Sequence, residues 1–425
     1  MPRMDRLFVT GGARLAGSVR ISGAKNSALK LMAASLIAPG RSVLRNVPRI
    51  QDCFTMAEVL EHLGAGVSWE DGGVVVDATH LSSVDAPYEL VRRMRASIAV
   101  LGPLLARIGE ASVAMPGGDN IGSRPIDLHL EGLRRMGAKI DSEHGFLVAR
   151  TDGLHGASIT LDYPSVGATE NLMMAAVTAD GVTVIDNAAR EPEITDLAAY
   201  LVAMGAGIRG AGSATIEVEG VAELRPAEHT VIPDRIEAGT WAAATVATRG
   251  DVVLQGARSD HLELFLEKLA EGGADIRVTD EGLRVRQPER TRAADFVTLP
   301  YPGLATDFQP ILLAMLATAN GTSIATENVF EGRFTYVDEL RRMGADIRTE
   351  GHHAVIRGVE QLSAAPVRAM DIRAGAAMAI AALTADGVSE IADIDHVDRG
   401  YEDFEAKLTA LGAEVRRDPE LVRLP

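Results

Sequence analysis

One cysteine, Cys53, is all the chain has, which excludes an internal disulfide and makes a reducing cytoplasm the expected compartment. Aromatic residues are scarce, 4% of the whole, so the core must be built from aliphatic and small side chains. No apolar run approaches the roughly eighteen residues that a membrane helix needs; residues 311–319 are among the longest. The first dozen residues lack the apolar stretch of a secretory signal. Positive charge is also in deficit: 42 Lys and Arg against 59 Asp and Glu leave a formal charge of −17. That balance argues against a nucleic-acid partner. It still allows a small anionic substrate, because a local arginine cluster outweighs the distant field of the whole chain. His129, His352 and His353 form no metal-ligand pattern with the cysteine, and neither a metal nor a cofactor is expected.

What is abundant is repetition. A phrase of the form L-x-x-(M/L)-G-A-x-(I/V) occurs at 60–67, 133–140, 201–208, 340–347 and 408–415, with a looser copy at 269–276. Its glycines are Gly64, Gly137, Gly205, Gly273, Gly344 and Gly412, spaced by 73, 68, 68, 71 and 68 residues. A period near 70 is too long for a solenoid and fits a supersecondary building block. A second phrase, a small-residue helix leading through a glycine into a strand, precedes each copy; its glycines are Gly40, Gly109, Gly181, Gly250, Gly321 and Gly387. Runs such as Leu172-Met173-Met174-Ala175-Ala176 are apolar on every face, the mark of a buried helix. The second helix of each unit is amphipathic, and short alternating stretches follow it as strands.

Each unit therefore reads helix, strand, helix, strand, strand. Six of them, with helices inside a sheet-walled body, make two similar α/β domains of three units each. The polar, proline-bearing stretch 225–233 is the expected linker. The strands near 7–9 and 19–21 have no unit of their own and are expected to complete the last one. The domains are then 22–230, carrying a mobile glycine-rich loop at 115–125, and a discontinuous 1–21 plus 231–425. Two chain crossings, near 22 and 231, would let the pair close on a substrate.

Charged residues stand where the units would otherwise be bland. Gly23-Ala24-Lys25-Asn26 opens the first buried helix, a spacing that suits an anion site or a solvated capping segment equally. The loop from Met115 to Pro125 carries Asp119 and Arg124 among its glycines. Asp307 sits at a further helix start, where a simple N-cap is the common role. Arg95, Arg333, Arg373 and Arg399 stand at or near unit starts or turns. Singly each is a surface arginine; together they could converge on a cleft, where bound phosphate or carboxylate would justify the charge.

With these motifs in view, the chain resembles the UDP-N-acetylglucosamine 1-carboxyvinyltransferase family over residues 7–415. The likeness is carried by Gly23-Ala24-Lys25-Asn26, Met94-Arg95-Ala96-Ser97, the 116–125 loop, Pro164-Ser165-Val166-Gly167-Ala168-Thr169-Glu170-Asn171, Ala189-Arg190-Glu191-Pro192-Glu193-Ile194, Thr306-Asp307 and Asp398-Arg399-Gly400-Tyr401. The related shikimate-pathway enzymes carry Asp-Lys-Ser where this chain has Ala24-Lys25-Asn26. The resemblance implies two inside-out α/β domains of three repeats. It also implies transfer of the enolpyruvyl group of phosphoenolpyruvate to the 3′-hydroxyl of UDP-N-acetylglucosamine, through a tetrahedral ketal that expels phosphate, without cofactor or metal. Lys25, Arg124 and Arg399 would hold the phosphate of phosphoenolpyruvate, Arg333 and Arg373 its carboxylate side, and Arg95 would add charge to the same pocket. Asn26 and Asp307 would meet the sugar, with Asp307 accepting the hydroxyl proton. Arg124, Pro125, Ile126, Asp127 and Leu128, with Ser165, Val166 and Gly167, would line the uridine diphosphate site, and Val329 would touch the sugar. No nucleic acid, membrane or obligate protein partner is implied.

Two positions depart from the commoner family pattern. Asp119 stands where most members have the cysteine that fosfomycin alkylates, which makes Asp119 the expected general acid and the enzyme resistant. Tyr163-Pro164 stands where some members place a lysine near the diphosphate. A transferase using a different nucleotide acceptor, or a binding paralogue without turnover, are the alternatives. The second would have had little reason to keep Lys25, Arg95, Arg124, Asp307, Arg333, Arg373 and Arg399.

Overall fold

Small and aliphatic residues dominate the six central helices: α1 (Lys25–Ala34), α2 (Leu101–Ile108), α3 (Val166–Ala176), α4 (Arg235–Ala247), α5 (Gln309–Leu316) and α6 (Ile372–Leu383). The computed structural model describes residues 5–91, 93–115 and 126–419. Every residue of α6 is buried, and in α4 all from Arg235 to Val246 are. Such burial needs close approach: a Cβ added at Gly239 would lie 2.3 Å from the Phe308 ring, and one at Gly375 would lie 2.5 Å from Val397 Cγ2.

The chain divides into two compact units. Among the described residues one holds 23–115 and 126–232, and the other is assembled from 5–22 and 233–419. Each has its own apolar core, the first built between Ala24 and Val231, the second from Leu7 to Ile21 together with Ile236 to Ala413. In the second unit α4, α5 and α6 pack pairwise against one another. Among the described residues six four-stranded sheets surround these helices, three in each unit, with a further two-stranded pair, Leu362–Ser363 and Ala385–Asp386.

All the four-stranded sheets share one plan. The strand after the central helix pairs antiparallel with the second arm of a hairpin whose first arm follows the Gly-Ala phrase, as in Thr322–Thr326, His353–Arg357 and Asp346–Glu350. The glycine of that phrase is the point where the amphipathic helix ends. All six adopt left-handed φ angles, from 88° at Gly344 to 109° at Gly205, a conformation that costs a residue with a Cβ about 1–2 kcal/mol. The conformation explains why the glycine recurs.

The fourth strand of each sheet is not in the unit read from the sequence. A short strand leading into the central helix runs parallel to the one leaving it, for example Ser158–Thr160 beside Val182–Asp186, a crossover that parallel pairing requires. The two N-terminal strands part company as a result. Asp5–Thr10 supplies the hairpin arm of the last sheet, between Val388–Ala392 and Glu414–Pro419. Ala16–Arg20, expected in the same repeat, instead pairs parallel with Asp251–Gln255 in the fourth. It replaces Glu228–Thr230, which precedes α4 in sequence but runs beside Arg41–Arg45 in the first repeat.

Candidate active site

In the unit 23–232, α1 starts at Ala24, which offers no side-chain cap, and places Lys25 in its first turn. Lys25 is buried, and its Nζ lies 3.0 Å from Oδ2 of Asp52, itself buried in the first turn of Gln51–His62. Asn26 is half-buried beside it. Further along α1, Ser27 donates to Asp196, which also takes His229 Nε2 at 2.8 Å, and Lys30 meets Glu170 at 2.7 Å. Burial pushes the Glu170 carboxyl up to about 7, against the pull of Lys30 and with the added repulsion of Glu193 and Glu191.

A second cluster forms where two helices begin. Ser165 caps α3, its Oγ accepting from Ala168 N, and Val166 and Gly167 are half-buried in the opening turn. Ile126, Asp127 and Leu128 open the helix Asp127–Arg135, which packs on α3. His129 joins the two: a Cβ at Gly167 would lie 3.1 Å from His129 Cε1, and His129 Nδ1 lies 3.0 Å from Asn171 Nδ2. The structure thus brings 126–128 and 165–167 together at paired helix starts, where first-turn amides point away from the helix. Arg95 opens the 3-10 segment Arg95–Val100. Asp119, Arg124 and Pro125 lie outside the described residues.

The other unit holds a tighter constellation. Asp307 sits in the 3-10 turn leading into α5, with Oδ2 3.2 Å from Arg373 Nε and Oδ1 3.7 Å from Arg333 Nη2. Arg373 lies in the first turn of α6, whose cap Asp371 accepts the backbone N–H groups of Arg373 and Ala374 at 2.7 and 2.9 Å. Its guanidinium stands over the Tyr401 ring, 5.3 Å from the centroid, and the Tyr401 hydroxyl meets Thr240 Oγ1 at 2.8 Å. Burial pushes the Arg373 guanidinium down, but Tyr401, Asp307 and Asp234 outweigh it and hold the group above its ordinary value. Both arginines are buried, yet Arg333 Nε and Nη2 and Arg373 Nη1 have no hydrogen-bond partner among the described residues. Donors left unsatisfied inside a protein are costly, so these point to an anion that would take them up. Arg399 follows the short helix Asp395–Asp398 and is half-buried.

Glu327 was missed in the sequence. Its Oε1 accepts from the backbone N–H groups of Val329 and Phe330 at 2.7 and 3.0 Å, and its Oε2 takes Thr306 Oγ1 at 2.9 Å. It thereby ties the Val329 turn to the Asp307 turn. A lone Glu after a strand carries no signature; the Asp two residues before Arg373 did, as a helix cap. No group of three or more His, Cys, Asp or Glu side chains is arranged to hold a metal ion among the described residues.

Known proteins resemble the chain over nearly its whole length. Residues 9–408 match the family model of EPSP synthase (3-phosphoshikimate 1-carboxyvinyltransferase). The chain is 54% identical over 413 residues to a UDP-N-acetylglucosamine 1-carboxyvinyltransferase of Corynebacterium jeikeium, covering 97% of this chain and 99% of that one. It is 53% identical, with the same coverage, to the protein of that name from Mycobacterium tuberculosis. The enolpyruvyl transferase NikO of Streptomyces tendae superposes with a TM-score of 0.89 at 27% identity, over 99% of this chain and all of that one. An EPSP synthase from Acinetobacter baumannii, 18% identical, shares the fold with a TM-score of 0.78 over 98% of this chain and 100% of its own.

Proposed function

We infer that this chain, which belongs to the UDP-N-acetylglucosamine 1-carboxyvinyltransferase family, transfers the enolpyruvyl group of phosphoenolpyruvate to the 3′-hydroxyl of UDP-N-acetylglucosamine. Phosphate is released by addition and elimination, and the product is the first committed intermediate of peptidoglycan synthesis. A different nucleotide acceptor is not favoured, given 54% identity over 97% of the chain to a UDP-N-acetylglucosamine 1-carboxyvinyltransferase.

The observation that carries the residue assignment is the pair of buried arginines, Arg333 and Arg373, with donors unspent around Asp307. A carboxylate from phosphoenolpyruvate fits those donors and would displace Asp307 from them. Asp307 then takes the 3′-hydroxyl proton as that oxygen bonds to C2 of phosphoenolpyruvate. C3 receives a proton from Asp119, giving a ketal at C2. Loss of a C3 proton and departure of phosphate from C2 restore the double bond. Lys25, Arg124 and Arg399 bind the phosphate as it leaves, Arg95 adds charge, and the positive groups stabilise the developing anion without a metal. Asn26 and Val329 meet the sugar. Ile126, Asp127 and Leu128 with Ser165, Val166 and Gly167, at the paired helix starts, receive uridine diphosphate together with Arg124 and Pro125.

The partners in this reading are the two small molecules alone, the two compact units are its two domains, and the location is the cytoplasm. No helix among the described residues is long and apolar enough to cross a membrane. The test is phosphate release by purified protein given phosphoenolpyruvate with UDP-N-acetylglucosamine, and in parallel with UMP. Release with the first acceptor is expected; release with UMP alone, or none at all from folded protein, would overturn the reading.

A further inference from the structure

We propose that Arg417, in the strand Glu414–Pro419, is a positioning residue for Arg399. The inference rests on the reading above, in which Arg399 binds the phosphate of phosphoenolpyruvate.

Arg399 is the residue at which the four-residue helix Asp395–Asp398 ends. A helix that short has little stability of its own, so its direction must come from what holds it. One side is held by the core. Val397 is fully buried against Gly375 of α6, and Gly400 is pressed on Ile372, where an added Cβ would lie 2.6 Å from Cγ2. Tyr401 is buried under Arg373.

The other side is held by charge. Arg417, in the strand Glu414–Pro419, grips Asp398 with both terminal nitrogens, Nη1 to Oδ1 at 2.9 Å and Nη2 to Oδ2 at 2.5 Å. The same guanidinium reaches Asp5 Oδ2 at 3.0 Å and Asp395 Oδ1 and Glu405 Oε2 at 3.3 Å each. Its side chain is 23% exposed, so these pairs are partly shielded from water. Two parallel N–H···O bonds fix the plane of a carboxylate as well as its distance, which a single ammonium cannot do. The carboxylate so fixed belongs to the residue bonded to Arg399, and that sets where the Arg399 side chain leaves the backbone. Arg417 touches no substrate in this scheme; it acts through Asp398.

Displacing a binding group by about 1 Å can cost around a hundredfold, and loss of the clamp should allow part of that. Steady-state kinetics on the full chain tests it, with Arg417→Gln, Arg417→Lys, Asp398→Asn and the double variant Arg417→Gln/Asp398→Asn. Arg417→Gln and Asp398→Asn are each expected to raise KM for phosphoenolpyruvate about tenfold, leaving KM for UDP-N-acetylglucosamine within about twofold. The double variant should be no worse than either single one, and Arg417→Lys should fall between parent and Arg417→Gln. Asp5→Asn removes a partner of Arg417 remote from Arg399 in sequence and should leave both KM values unchanged. A folded Arg417→Gln with KM for phosphoenolpyruvate within twofold of the parent overturns the role, as does an Asp5→Asn that reproduces its effect. If Arg417→Gln does not fold, Asp398→Asn and Arg417→Lys decide by the same criterion. Arg399→Lys separates the two levels. If it leaves the phosphoenolpyruvate parameters unchanged, the phosphate assignment falls and the positioning role with it. An impaired Arg399→Lys beside an unaffected Arg417→Gln removes the positioning role alone.

Discussion

Asp307→Asn should weaken the empty protein and tighten its hold on phosphoenolpyruvate at the same time. Asp307 neutralises two buried guanidiniums, Arg373 at 3.2 Å and Arg333 at 3.7 Å. At an effective dielectric constant near 20, unit charges about 4 Å apart attract by about 4 kcal/mol. The Asp307 side chain is 28% exposed, so water screens part of this; roughly 1–1.5 kcal/mol per pair is a fair remainder. Losing both then costs about 2–3 kcal/mol, a fall in Tm of roughly 5–10 °C for a domain of 150–250 residues. An incoming substrate carboxylate would no longer compete with Asp307 for the donors of Arg333 and Arg373. Saturating phosphoenolpyruvate should therefore raise the Tm of the variant by more than it raises the parent's, and recover most of the loss. Turnover should fall by about 10²–10⁴, because the proton acceptor is gone. Scanning calorimetry of both proteins, with and without phosphoenolpyruvate, reads the first two effects. A variant as stable as the parent, or one with the same ligand-induced shift, would refute the argument that Asp307 holds an anion site in its empty state.

Asp119→Cys should convert a fosfomycin-resistant enzyme into a sensitive one, read as time-dependent inactivation; stoichiometric inactivation of the parent would remove the assignment of Asp119. Glu170→Gln should gain stability at high pH. The Glu170 carboxyl is raised from its ordinary 4.5 to about 7, so the folded protein keeps a proton the unfolded chain has lost, and stability drains away as pH rises through that window. The upper bound is about 3 kcal/mol, so urea denaturation at pH 8 should favour the variant and at pH 5 should not; an equal difference at both would sink the claim. Gly344→Ala, at φ 88° with no atom within 4 Å of the new Cβ, should cost only the left-handed backbone, about 1–2 kcal/mol. Gly358→Ala, whose Cβ would lie 1.8 Å from the Ala319 carbonyl oxygen, should cost clearly more, and equal losses on chemical denaturation would contradict the distinction.

The repeat was legible because its physics is local. A left-handed residue at a helix end demands glycine, and a helix buried on all sides demands Ala, Leu and Met, so both write themselves into the chain six times. The parallel leading strands were not legible. Asp85–Ala86 and Phe296–Val297 are two residues long, too short for any alternation, and their register is set by a partner strand more than twenty residues away. The same division runs through the site. Asp307, Arg333 and Arg373 were named from motifs and meet in the structure, whereas Asp52 and Glu327 earn their places only through contacts with Lys25 and with the turn at Val329. A carboxylate that positions another group has no sequence pattern of its own, because its partner can come from anywhere in the fold.

The way the six central helices begin shows how a repeated scaffold can be specialised. Three starts are closed by the side chain at the cap position itself. Ser165 caps α3, Asp234 takes the N–H groups of Ile236 and Glu237 on α4, and Asp371 takes those of Arg373 and Ala374 on α6. Of the other three, α2 and α5 continue directly from 3-10 turns, and the Gly102 N–H of α2 is taken by Asn171 Oδ1 at 2.9 Å; α1 alone starts afresh, after Ala24, which offers no side-chain cap. An uncapped start leaves outward-pointing amides and a positive dipole end, the backbone half of an anion site, and charged side chains supply the rest. Lys25 does so at α1, in the helix's own first turn. At α6 the logic is inverted: Asp371 consumes the amides, and the charge is delivered by the Arg373 side chain, stiffened because its own backbone N–H is bound to the cap. One backbone plan thus yields different local chemistry at each helix start, according to which residue holds the cap position. Replacing a cap is accordingly a different perturbation from replacing a charge. Asp371→Ala would free two amides, but it would also loosen the turn that aims Arg373, so the two effects on anion binding oppose each other.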